Sequence, residues 1–256
     1  MGQKKSILRS HDFERSHLNR ALSFVALALS LPLTACGPGL VGDRVGSPRS
    51  PGGSGFFGAE SKAAMEDSKN CRSGDSSQTC LALKYVVFED SDGIPAVNEG
   101  VVLSGVAAIN RIWSQCNIHF QVDRFLKINP KKYELSFNSS ENHDLEQIRK
   151  IFMDSSTLLV VTTGKWDRSG SLGNTGANAW ASMPGDQFYG VVLEAPVGDY
   201  PNIIAHELGH YLNLDHASDV DQLMNPVIYD RSKSLTRSEC NMAYNAVQDY
   251  WKSMVR

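Results

Sequence analysis

This sequence lacks a charge bias. Its 256 residues carry 25 Lys and Arg against 28 Asp and Glu. There is no basic field to attract nucleic acid, and that class of partner is excluded. It also lacks an apolar run long enough to cross a bilayer as a helix. The candidate, ALSFVALALSLPL from Ala21 to Leu33, falls short of the roughly 20 residues that a span needs. Internal repeats are missing. Histidine is scarce, seven in all, with none between 144 and 205. The hydrophobic fraction, 41%, is that of an ordinary globular protein.

What is present begins with a basic start. Lys4, Lys5, Arg9, Arg15 and Arg20 outweigh Asp12 and Glu14 ahead of the apolar run, the layout of a secretory signal. The run ends in Leu33-Thr34-Ala35-Cys36, which resembles a bacterial lipobox. That resemblance implies cleavage before Cys36 and a lipid on its sulfur. With Gly37 following, it implies an outer-membrane lipoprotein of the bacterial cell envelope, on the periplasmic or the surface face. The simpler alternative is a soluble secreted protein cut near Ala35. Residues 1–35 are thus expected to be a lipoprotein signal peptide. Residues 36–70, rich in Gly, Ser and Pro, read as a flexible tether. The folded domain is expected over 71–256.

Setting Cys36 aside leaves Cys71, Cys80, Cys116 and Cys240. An even number in an exported chain points to two disulfides, with three pairings open. Cys71 and Cys80 flank the polar loop RSGDSSQT and can pair locally, which would leave Cys116 with Cys240. The alternative is that some of the four are buried thiols.

LALKYVVFED, from Leu81, reads as a strand ending in the turn Ser91-Asp92-Gly93. The run from Asp90 is an acidic turn and not a calcium loop, because Pro95 and Val101 stand where an EF-hand needs Gly and Glu. A long amphipathic helix is expected from Ala96 to about Cys116. IHFQVDRFLKI alternates as a strand that takes in His119. A short helix over 144–152 and an apolar strand over 155–164 follow. Beyond the Gly-rich loop GKWDRSGSLGNTG come two short strands, 177–183 and 189–194. Helices are expected over about 201–213 and 236–254. The order implies an α/β domain, a mixed sheet packed on helices.

HELGHYLNLDH, His206 to His216, holds three of the seven histidines. On a helix, His206 and His210 lie on one face, one turn apart. They supply two corners of a tetrahedral metal site. Glu207, beside the first, can take the proton of a zinc-activated water and return it to a leaving amine. His216 joins only if the helix stops and the chain bends back. Such a stop needs a left-handed residue, and Asn213 is the one available.

H-E-x-x-H-x-x-N-x-x-H resembles the metzincin zinc metalloproteases, whose pattern has Gly where Asn213 stands and is followed by a Met-turn. Within them it is most similar to the matrixins. Met224 lies eight residues after His216, in Leu223-Met224-Asn225-Pro226. GANAWASMPG, 176–185, is similar to the matrixin edge strand. The resemblance implies a five-stranded twisted mixed sheet with an antiparallel edge strand, packed on a long first helix, an active-site helix and a C-terminal helix. It implies a zinc-dependent endopeptidase acting on protein or peptide substrates, with His206, His210 and His216 as metal ligands and Glu207 as the catalytic base and acid. Met224 would form the floor beneath the metal. Ala179 and Pro226 would be substrate-binding. Tyr229, at a different spacing from the tyrosine of some metzincins, reads as pocket wall or core. Trp180 replaces the histidine of the matrixin edge strand, so one catalytic zinc and no structural zinc are expected; calcium is left open. The cysteine-switch propeptide of the family is missing, and NCRSGD at 70–75 only faintly echoes it. A monomer with membrane attachment through a lipid anchor is expected. The alternative is a catalytically inactive zinc- or peptide-binding envelope lipoprotein on the same fold, against which Glu207 argues.

Overall fold

The computed structural model describes residues 78–256. The expected signal peptide, the Cys36 lipid site, the 36–70 tether and Cys71 lie outside the described residues. Within them, a five-stranded sheet has the order β2-β1-β3-β5-β4. The strands are β1 Thr79–Phe88, β2 Ile118–Ile128, β3 Leu158–Thr162, β4 Ala179–Ala181 and β5 Val191–Leu193. β1 is parallel to both β2 and β3, and β3 to β5; β4 alone runs antiparallel, on the edge beside β5.

β1 lies inside the sheet, between β2 and β3, and is almost wholly buried, which is why its sequence reads as a continuous apolar run. Its side chains alternate between the two faces of the sheet. Leu81, Leu83, Tyr85 and Val87 join one core, while Val86 and Phe88 join the other. Lys84 is the exception, a lysine only 6% exposed. Its ammonium pairs with Asp154, which also accepts hydrogen bonds from Ser156 and Thr157.

The first core is closed by α1 Glu99–Trp113, α3 Pro201–Tyr211 and α4 Arg237–Tyr250; the second is closed by α2 Asn142–Phe152. α1 buries Val102, Leu103, Val106, Ile109 and Trp113 along one stripe, the helical spacing of an amphipathic segment. It ends earlier than the hydrophobic pattern implies. A 3-10 turn, Ser114–Cys116, runs into Asn117 at φ 53°, and the chain reverses into β2. Asn110 then clamps that strand, its amide donating to the Phe120 carbonyl at 3.0 Å and its oxygen accepting from the Phe120 N–H at 2.7 Å. α4 likewise stops at Tyr250 before a 3-10 turn over Lys252–Met254. Cys116 is joined to Cys240 by a disulfide, tying the end of α1 to the first turns of α4. Cys80 is also disulfide-bonded, and its partner falls outside the described residues.

Candidate metal centre and substrate edge

α3 begins at Pro201, a residue preset for the first helical position, and carries His206, Glu207 and His210. It stops where the chain must bend. Asn213 has φ 67°. The Asn213 N–H donates to the His210 carbonyl and the Leu214 N–H to the Gly209 carbonyl, both at 2.9 Å. This is the Schellman closure of a helix end. The next carbonyl, that of Tyr211, accepts the Trp251 indole N–H at 2.9 Å, so the last turn leaves no orphan acceptor there. The bend carries His216 back to the ligand face. Asn213→Gly, which relieves left-handed strain, is expected to keep metal affinity. Asn213→Val, a β-branched residue in that conformation, is expected to weaken zinc binding, read by competition with a chromophoric chelator. Normal affinity in the valine variant would remove the turn from the account.

One nitrogen from each of His206, His210 and His216 lies within 4.8 Å of the others. His206 Nδ1 is 2.8 Å from the Leu223 carbonyl, and His210 Nδ1 is 2.8 Å from the Leu214 carbonyl. A carbonyl oxygen can only accept, so both Nδ1 atoms carry the proton. Each neutral ring therefore presents a bare Nε2 lone pair. His210 Nε2 lies 3.1 Å from His216 Nε2, close to the ~3.3 Å edge of a tetrahedron with Zn–N bonds of about 2.0–2.1 Å. Burial, then the neighbouring His210, hold His206 down to about 3. Burial holds His210 down to about 4 and lowers His216. Near neutral pH all three are in the uncharged form that binds a metal. The donor set and its tautomers fit a zinc ion.

Glu207 is 1% exposed, next to the fully buried His206. Met224, also fully buried, lies against α3 at Gly209: a Cβ on that glycine would overlap the methionine sulfur. The Met224 carbonyl accepts from the Ala217 N–H at 2.8 Å, which ties the segment after His216 to the Leu223-Met224 segment. Pro226 follows half-buried. Tyr229 is half-buried with the Arg231 guanidinium 4.9 Å from its ring centroid.

Ala179 opens β4, the edge strand packed beside α3. Glu194 N–H donates to the Asn178 carbonyl at 3.0 Å and Ser182 N–H to the Gly190 carbonyl at 3.4 Å. Hydrogen-bonded and non-bonded pairs alternate along an antiparallel ladder. The Trp180–Val192 pair is therefore bonded inward, and the main-chain groups of Ala179 and Ala181 point out from the sheet. Among the described residues no backbone group bonds to them from that side. The loop leading to β4 is organised by Glu194, 2% exposed. Its carboxylate accepts from Arg168 Nη2 at 2.6 Å, from the Trp166 N–H at 2.9 Å and from the Asn178 side chain.

The sequence motifs leave several of these participants unmarked. The Leu214 and Leu223 carbonyls act through the main chain and have no sequence signal. Gly209 has a weak one, since a glycine in mid-helix costs about 1 kcal/mol relative to alanine and calls for a packing reason. Arg168 and Glu194 are a charged pair 26 residues apart, invisible to local pattern.

Among solved structures, the chain is similar to metalloproteinase-II from Bacteroides fragilis, at 13% identity and TM-score 0.46, over 73% of this chain and 60% of that one. It is also similar to archaemetzincin from Methanopyrus kandleri, at 14% identity and TM-score 0.44, over 68% of this chain and 98% of that one. The chain thus spans 60% of the Bacteroides protein's length. No curated protein matches it. Residues 71–245, from ahead of β1 well into α4, match the Matrixin peptidase family; the chain belongs to that family.

Proposed function

We propose that the chain is a zinc-dependent endopeptidase that hydrolyses extended protein or peptide substrates. The convergence of His206, His210 and His216, two of them with Nδ1 fixed on carbonyls, carries this reading. The three imidazoles would hold one zinc through Nε2. Zinc bound there supplies Lewis-acid polarisation of the scissile carbonyl and lowers the pKa of a water to about 7. Glu207 takes the proton of the attacking water and delivers it to the leaving amine. Ala179 and Ala181 align the substrate main chain as an added strand, and Pro226 borders the pocket beyond the scissile bond. Met224 packs beneath the histidines and keeps their helix and turn in one geometry. Lipid attachment at Cys36 and an outer-membrane location are part of the same proposal; fatty-acid labelling that persists in Cys36→Ser would discard them.

The test is cleavage of a peptide library by the full chain. Cleavage is expected with zinc, lost with a chelator, and restored by about one equivalent of the metal. A zinc-loaded chain that cuts no library member would overturn the assignment.

A further inference from the structure

Arg149 is a buried cation that nothing in the proposed chemistry uses. It projects from α2 and is 6% exposed. Burial pulls its pKa down, to about 10, while Glu207, Asp186, Glu146 and Tyr211 act to raise it. It remains charged near neutrality. Among the described residues no carboxylate lies within ion-pair distance of it. Its Nε donates to the Gly190 carbonyl at 2.9 Å and its Nη2 to the Trp180 carbonyl at 2.8 Å.

Both acceptors belong to the β4–β5 hairpin. Trp180 is the middle residue of β4, between the two alanines whose polar groups point outward. Gly190 leads into β5. It has φ 152°, and a Cβ there would press on the Leu159 side chain, so its carbonyl is delivered from a conformation open to glycine. Its N–H donates to Ser182 Oγ at 3.0 Å. β4 is three residues long and, among the described residues, has a strand neighbour on one side only. Such an edge frays unless something else holds it. An apolar side chain would fill the same volume without burying a charge. A planar guanidinium fork is what reaches two carbonyls at once; a lysine ammonium is a point donor on a flexible stem.

We infer that Arg149 is a positioning residue, stapling the β4–β5 hairpin from the opposite side of the sheet so that Ala179 and Ala181 present a fixed edge to the substrate main chain. This rests on the endopeptidase reading for its consequence, but not for its geometry.

The experiment uses the zinc-loaded full chain with Arg149→Met, which keeps an unbranched apolar stem and removes the donors, and Arg149→Lys. Amide hydrogen exchange is read across the domain. In Arg149→Met, exchange at the hairpin's bonded amides, those of Trp180, Ser182 and Val192, is expected to rise by roughly tenfold, the size of losing charged hydrogen bonds, with α1 and α3 unchanged. Zinc content should stay as in the parent. For a long peptide that spans the edge strand, KM is expected to rise by about tenfold; kcat is compared in Arg149→Lys, which keeps the charge that acts on Glu207, and is expected to change there by less than about twofold. Acetohydroxamate, too small to reach β4, should inhibit both proteins equally. Arg149→Lys should recover only part of the loss. Unchanged hairpin exchange in both variants would overturn the inference. So would faster exchange throughout the domain, or loss of acetohydroxamate binding, since either makes Arg149 a general structural residue. If the parent cleaves no peptide, the endopeptidase reading fails, while hairpin exchange still decides the staple.

Discussion

Glu207→Gln is expected to lower peptide hydrolysis by at least about a hundredfold, and up to about ten-thousandfold, the range that a positioned general base contributes. Glutamine has nearly the same volume and can fill the same 1%-exposed position beside His206. It does not accept a proton at neutral pH. The histidines and their carbonyl partners at Leu223 and Leu214 are untouched, so zinc stoichiometry by elemental analysis should equal that of the parent. This separates loss of the base from loss of the metal. A zinc-replete variant that cuts a peptide library at the parental rate would mean that the proton is handled elsewhere and that Glu207 only packs.

The second large effect concerns stability. Cys116→Ser with Cys240→Ser removes a cross-link that closes 124 residues of chain. Loop-closure entropy for that length corresponds to about 4–5 kcal/mol. For a domain of this size, that is a fall of roughly 10–20 °C in Tm. The location adds to the effect. The bond fastens the end of α1 to the start of α4, and Gln115 beside it donates to the Lys233 carbonyl at 2.8 Å. α4 leads to Trp251, whose indole closes the end of the histidine-bearing helix. The double variant is therefore expected to lose zinc at a lower temperature than the parent, in step with unfolding. Thermal unfolding by circular dichroism checks this, and a Tm within about 3 °C of the parent would show that the packing of α4 suffices alone.

Much of the fold is legible in the sequence for simple reasons. β1 is buried on both faces and α1 on one stripe, so each writes its environment into a long apolar pattern. The histidines of α3 are legible because a shared metal would constrain their spacing, and Asn213 because a third ligand after His210 would require a reversal. Element ends are less so. Asn117 and Gly190 halt or redirect the chain through backbone conformation, and β4 is too short to show a period. Side-chain contacts between distant elements are the least legible. Arg149 reaches residues 31 and 41 positions away, and Lys84 pairs with Asp154 at a separation of 70. Contacts of that range leave no local imprint, and a lone Arg on α2 reads as surface until the sheet is folded beneath it.

The outward edge of β4 sets a demand on whatever is cut. A strand already paired within its own fold has no main-chain groups to give to Ala179 and Ala181. Under the proposed reading, a target must first release several residues from its own hydrogen bonds, and the free energy of that local opening is charged against cleavage. Tails, hinges and interdomain linkers would be cut first, and tightly folded domains would survive intact. A map of cut sites on a native protein would then chart where that protein breathes more than which side chains it carries.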